Sequence, residues 1–232
     1  MESIDVVFTL GPFGITRPVV TTWVVMALLV GFAAIVRSHL TTDPGPLQTA
    51  VEGVVGAIHG AIEETLPDYG SRLLPFVGSL WIFITVANLA GILPGARSPT
   101  SDLSTTTALA VLVFLSVHWF GITSGGLGAY LRHYLQPNPI MLPFHIVSEI
   151  SRTVALAVRL FGNVMSLETA AVLVLLVAGF LVPVPVLALH IVEALVQAYI
   201  FGMLALVYIS GGIQSRQIAS RSNESAHDGA SP

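Results

Sequence analysis

The sequence contains no cysteine and no lysine. Without cysteine there are no disulfides, no thiol nucleophile, no cysteine-held zinc and no iron–sulfur cluster. Without lysine there is no phosphate-gripping P-loop lysine and no Schiff-base lysine; all nine basic residues are arginine. Charge of either sign is scarce. Only 9% of residues are Asp, Glu, Lys or Arg, against roughly 25% in a soluble domain. What fills the chain instead is apolar: 54% of the 232 residues are hydrophobic and the mean hydropathy is +0.84. A chain of this kind has the bilayer as its solvent. Catalytic signatures are missing as well. There is no Gly-x-Ser-x-Gly elbow, no His-Glu-x-x-His pair and no nucleotide-binding loop. His39, His59, His133 and His145 lack metal-ligand spacing. No catalytic residue, metal, cofactor or nucleic-acid partner is expected, and the net charge of −4 names no partner class.

The apolar stretches set the architecture. Pro18–Val36, Leu73–Leu93 and Thr105–Thr123 each fit a single span of ~20 residues. The first ends in Arg37 rather than at a small-residue cleavage site, so it reads as a retained span and not a signal peptide. Gln48–Tyr69 carries Glu52, Glu63 and Glu64 among small and apolar residues; it reads as an amphipathic surface helix. Pro143–Val182 is too long for one ordinary span: as a single helix it would measure ~60 Å, against a hydrocarbon core of ~30 Å. It either breaks in two or lies steeply tilted. Pro183 and Pro185 separate it from Val186–Ile213, which predicts a helical hairpin. The expected plan is all-α in one membrane domain. Residues 1–17 form an outside segment, 18–37 a span, 45–70 the surface helix, and 73–93 and 105–123 two more spans. Residues 140–182 and 184–213 form the tilted hairpin, and 214–232 a disordered tail. Residues 124–139 form a connector holding Arg132 and His133. Placing the N-terminus outside puts Arg37, Arg72, Arg132, Arg216 and Arg221 on the cytoplasmic side and only Arg17 and Arg97 outside, as the positive-inside rule prefers.

The hairpin holds Glu149, Arg152, Arg159, Asn163, Glu168, His190, Glu193 and Gln197. A charge in the middle of a membrane helix costs about 2.5–3.5 kcal/mol even on lenient scales, so such residues face a cavity or a partner. Arg152 has Glu149 three residues away, and an internal pair is as good a reading as a functional one. Arg159 has no acid within one turn; Asn163 is its nearest polar neighbour, and its counter-charge must come from another helix or another chain. An antiparallel register centred near residue 178 sets Arg159 opposite Gln197 and Glu168 opposite His190, although the turn prolines lie some five residues later. Arg159 and Glu168, nine residues apart, fall on opposite sides of the helix. Asn88 serves as interhelical glue or as part of a pathway, Asp102 as a solvated loop acid or a channel mouth, and His118 beside Trp119 as an interfacial anchor.

The run Ser151-Arg152-Thr153-Val154-Ala155-Leu156-Ala157-Val158-Arg159-Leu160-Phe161-Gly162-Asn163 resembles the signature of subunit a of F-type ATP synthases. Gln197-Ala198-Tyr199-Ile200-Phe201, Val207-Tyr208-Ile209-Ser210, Ala87-Asn88-Leu89-Ala90-Gly91-Ile92-Leu93-Pro94-Gly95 and Pro99-Thr100-Ser101-Asp102-Leu103 extend the resemblance over roughly residues 18–213. It implies that Arg159 faces the ion-carrying carboxylates of a rotating c-ring, with Asn163 and Gln197 beside it. Glu168 and His190, with Glu193, would line an aqueous half-channel, and Asn88, Asp102 and Glu149 are candidates for its mouths. The implied partners are the c-ring, a b-type peripheral stalk, the F1 head at a distance and the lipid bilayer of a bacterial inner membrane. Thr153, Leu167, the extra acid Glu193 and a short N-terminus depart from the common pattern and resemble the alternate, sodium-associated branch. The competing reading from the residues alone is a stand-alone transporter or channel, against which stands the lack of an internal repeat.

Overall fold

A computed structural model describes residues 6–10, 13–42, 44–67, 69–92, 98–125, 142–178 and 183–228. The connector around Arg132 and His133 and the hairpin turn lie outside these residues. The described chain is helical apart from one short hairpin, in which β1 (Val6–Leu10) pairs antiparallel with β2 (Phe13–Thr16). Nothing in the expected plan anticipated these strands. Their signal is nonetheless present, as β-branched and aromatic residues on both sides of Gly11-Pro12. The helices are α1 (Arg17–Ser38), α2 (Pro46–Thr65), α3 (Gly70–Ala90), α4 (Leu103–Gly125), α5 (Leu142–Ala178) and α6 (Pro183–Asp228). A single 3-10 turn, Pro99–Ser101, precedes α4.

Five segments are long and apolar enough to cross a membrane: Arg17–Ser38, Gly70–Ala90, Leu103–Thr123, Leu142–Val177 and Pro185–Ile213. The chain is an all-α, multi-pass membrane protein. α5 does not break: its 37 residues form one helix of about 55 Å. Pro18, Pro46 and Pro143 sit in first turns and Pro183 at the start of α6, where a proline does least harm, whereas Pro75 lies inside α3. α6 runs on through Asp228, into the stretch expected to be a disordered tail. The sequence offers no Gly or Pro between Gln214 and Asp228 to stop it.

Lipid is as apolar as leucine, so membrane helices gain little from hiding leucine and are held by close packing of small residues and by polar contacts. The core follows that rule. Leu80 and Ile84 of α3, Leu109, Ala110 and Val113 of α4, Leu156, Ala157 and Leu160 of α5, and Ala198, Phe201 and Ala205 of α6 form one cluster. A second cluster seats α2: Ile58, Ile62 and Leu66 pack on Leu73 and Val77 of α3 and Leu206, Ile209 and Ile213 of α6. Glu52, Glu63 and Glu64 of α2 stay exposed. Gly202 lets α6 approach α3 closely; a Cβ there would stand 3.1 Å from the Trp81 ring. Large apolar side chains cover the outside, among them Trp23, Leu28, Val30 and Ile35 on α1, where lipid would solvate them.

Candidate functional site

α5 organises the polar residues. Leu156, Leu160 and Val164 turn inward, while Ala155, Arg159, Gly162, Ser166 and Thr169 are exposed at helical spacing. Arg159 thus stands on an open face among small neighbours. Among the described residues no hydrogen bond or ion pair reaches it. The expected meeting with Gln197 does not occur. Gln197 is 2% exposed and accepts a hydrogen bond from Asn163 Nδ2 at 2.7 Å; its own amide nitrogen is buried without a partner among the described residues. The pair Asn163–Gln197 centres on residue 180 rather than 178.

At the end of the bundle where α3 stops and α4 begins lies a closed polar cluster. Asn88, Ser98 and Thr100 are each 0% exposed. Thr100 donates its hydroxyl to Asn88 Oδ1 at 2.5 Å, and Ser98 donates to the Ala87 carbonyl at 2.8 Å, with the two hydroxyls 2.6 Å apart. Asn88 Nδ2 reaches the Ala194 carbonyl at 3.5 Å, tying α3 to α6. His190 Nε2 lies 3.3 Å from the Asn88 carbonyl; a carbonyl only accepts, so this nitrogen carries the proton. Glu168 Oε1 accepts the Ser98 backbone N–H at 3.0 Å and presses on Gly91, where a Cβ would come within 2.9 Å of it. Glu168 and His190 therefore do not bond to one another, contrary to the expected register. Each attaches to the same end of α3, which sequence spacing within the hairpin alone does not reveal. Glu193 is half-buried one turn after His190. Asp102 accepts from the Ser104 backbone N–H at 2.7 Å and from the Ser104 hydroxyl, so it caps α4.

At the other end, between α4, α5 and α6, lies a crevice lined by Glu149, Arg152, Thr153 and Tyr208 over apolar residues of α4. His118 has a partner on the next helix: its Nε2 sits 3.8 Å from Glu149 Oε1. Arg152, one turn along, lies over the Tyr208 ring at 5.1 Å. Along α5, Glu149 is ten residues before Arg159 and Glu168 nine after, so the two polar sites stand about 15 Å and about 14 Å from the arginine on opposite sides. Among the described residues no His, Asp and Glu group is arranged to hold a metal.

Helices crossing a bilayer with two separate polar sites between them define a class: a multi-pass membrane protein that handles ions. Its family is shown by comparison with known proteins. Residues 19–210 match the family model described as ATP synthase A chain. The chain is 60% identical to "ATP synthase subunit a 2" of Pelobacter propionicus (strain DSM 2379 / NBRC 103807 / OttBd1) over 215 residues, covering 93% of this chain and 94% of that protein. It is 54% identical to "ATP synthase subunit a" of Legionella pneumophila (strain Paris), covering 92% and 94%. To "ATP synthase subunit a 1" of Hahella chejuensis (strain KCTC 2396) it is 58% identical, covering 88% and 87%. The chain belongs to the ATP synthase A chain family, the non-catalytic ion-translocating subunit of the membrane sector. None of these names specifies the ion.

Proposed function

We propose that this subunit carries ions to and from the carboxylates of a c-ring through two half-channels separated by Arg159, and so couples ion flow to rotation. The observation that carries the reading is the placing of Arg159. A guanidinium does not deprotonate in proteins, so it does not relay protons. Exposed on α5, with no ion pair among the described residues, it suits a carboxylate brought from another chain. Small residues at Ala155, Gly162 and Ser166 leave room for that chain's helix to come close. The fixed positive charge favours the ionised carboxylate as it passes and blocks leakage between the two polar sites.

In this reading Glu168, with Asn88, His190 and Glu193, lines one half-channel and Glu149 the other. Asn163 and Gln197 flank the arginine. The N-terminus lies outside a bacterial inner membrane, and the long hairpin tilts against the ring. A b-type stalk holds the subunit and links it to the F1 head.

The test is ATP-driven ion pumping in inverted membrane vesicles carrying the complex with Arg159→Ala. Loss of pumping with the ATPase still copurifying is the expected result. Normal pumping would sink the c-ring role.

A further inference from the structure

The half-channel reading leaves a gap between the closed polar site and the residues beside Arg159. We infer that Glu193 fills it as a relay group, exchanging the ion between the α3-end half-channel and the ring carboxylate. The inference rests on the half-channel reading and adds to it the residue that makes the transfer.

Spacing carries the argument. His190, Glu193 and Gln197 follow one another at three and four residues, so they share one face of α6. That face looks towards α5, because Gln197 accepts from Asn163 there. From His190 to Gln197 the helix rises about 10.5 Å, more than one hydrogen bond or one bridging water spans. Glu193 divides that rise into about 4.5 Å and about 6 Å. No other side chain in the interval can hold an ion as a carboxylate does. Residues 191–196 of α6 include one ionisable group, Glu193, and residues 164–167 of α5, between Asn163 and Glu168, include none.

The surroundings of Glu193 suit a relay. His190 and Gln197 are 4% and 2% exposed, whereas Glu193 is half-buried. Val192 and Val196 beside it lie on the outer face of α6, so Glu193 stands at the edge between the α5 seam and a face open to another chain. Glu168 is already held by the Ser98 N–H. Among the described residues no hydrogen bond or ion pair fastens Glu193. Nor does Arg159 neutralise it. With Asn163 level with Gln197, Glu193 is level with Leu167, eight residues or about 12 Å along α5 from the arginine. A bare carboxylate within the span Pro185–Ile213 is costly, and the cost falls when it carries a cation. The transfer balances in charge. Glu193 carrying H⁺ or Na⁺ meets an ionised ring carboxylate, and the cation passes from one oxygen to the other. The ring group is then neutral, and Glu193 is a carboxylate that the half-channel refills; in the pumping direction the same step runs backwards. Carboxylate oxygen accepts a proton and suits a hard cation, so the role is the same for either ion.

The test uses the intact complex in inverted vesicles, with ATP-driven transport followed both as acidification of the interior and as uptake of labelled Na⁺. Glu193→Gln keeps the shape of the side chain and removes its capacity to hold the ion. It should lower transport of whichever ion moves on the order of 100-fold, the low end for a positioned acid–base group, with the ATPase still copurifying. Glu193→Asp keeps a carboxylate and should bring transport back to within about 10-fold of wild type. A side chain that only packed or braced the helices would not favour the shorter Asp over the matching Gln. Wild-type transport in Glu193→Gln would overturn the inference. So would loss of assembly in that variant, which would make Glu193 structural, or transport as low in Glu193→Asp as in Glu193→Gln. Arg159→Ala separates the two levels. If it pumps normally the half-channel reading fails; if it is dead while Glu193→Gln is normal, only the relay fails.

Discussion

The two polar sites that flank Arg159 differ in kind. The one at the α3 end is closed: Asn88, Ser98 and Thr100 are fully buried, and their hydrogen bonds run from 2.5 to 3.5 Å between three segments of the chain. The one at the α4 end is built from ionisable groups, with a 3.8 Å histidine–acid contact and a guanidinium 5.1 Å over an aromatic ring. Buried neutral groups that satisfy one another rigidify a helix bundle. Partly exposed ionisable groups exchange with water. One long helix, α5, therefore carries a braced site at one end and a labile site at the other, with Glu168 the charged group that the braced site presents.

That contrast predicts where function and stability separate. The largest effect should come from neutralising the acids. Glu168→Gln keeps an oxygen for the Ser98 N–H, and Glu149→Gln keeps the shape of its side chain. Both should lower ATP-driven pumping at least about 10-fold while assembly of the complex is unchanged. If Glu149→Gln pumps normally, the α4-end site is not a path and the contrast loses its functional meaning.

Next in size is the bracing itself. Asn88→Leu strips Thr100 of its acceptor and the Ala194 carbonyl of its donor, and should cost about 1–2 kcal/mol. This would read as a lower thermal midpoint of the purified complex by calorimetry. Glu149→Gln, at the labile site, should leave that midpoint in place. Equal shifts in both variants would show that the two sites are built alike.

A smaller effect tests the position of Glu168. Gly91→Ala brings a Cβ within 2.9 Å of Glu168 Oε1 and 3.0 Å of Ser98 Cβ. A flexible carboxylate end gives way more easily than backbone, so the fold should hold. Pumping should fall a few-fold as the carboxylate leaves the Ser98 N–H. A rate equal to wild type would mean that this hydrogen bond is not needed in the working protein.

Legibility followed periodicity and failed at contacts between distant segments. The spans follow from length and hydropathy and could be read directly, whereas length alone left open whether residues 142–178 form one helix or two. The partners of Glu168 and His190 could not be read, because both are on α3 or just beyond it, about 70 to 100 residues away. Ser98 and Thr100 stand in a Pro/Ser/Thr stretch between two spans, and only the fold makes them fully buried. The contact of His118 with Glu149 was equally out of reach, because a histidine beside a tryptophan near a helix end has an ordinary interfacial meaning. Its acid is on the next helix, beyond a connector whose path the sequence does not give. A polar residue within a span signals that a partner exists and is silent on which.

The smallest effect bears on the exposed face. A Cβ at Gly162 would meet nothing within 4 Å in this chain. Replacing an interior helical glycine by alanine gains about 0.8–1 kcal/mol in an isolated helix. Gly162→Ala should therefore leave the subunit's own thermal midpoint unchanged or raise it slightly. Yet Gly162 shares the open side of α5 with Arg159, where a c-ring helix would need close approach. If that helix is there, the added methyl group should slow pumping mildly, by less than about 10-fold, while the fold gains stability. Opposite signs in the two measurements are the signature of a surface kept bare for a neighbour. A variant that is both more stable and pumps at the wild-type rate would mean that no helix packs closely at Gly162, and the ring face would have to be sought elsewhere along α5 and α6.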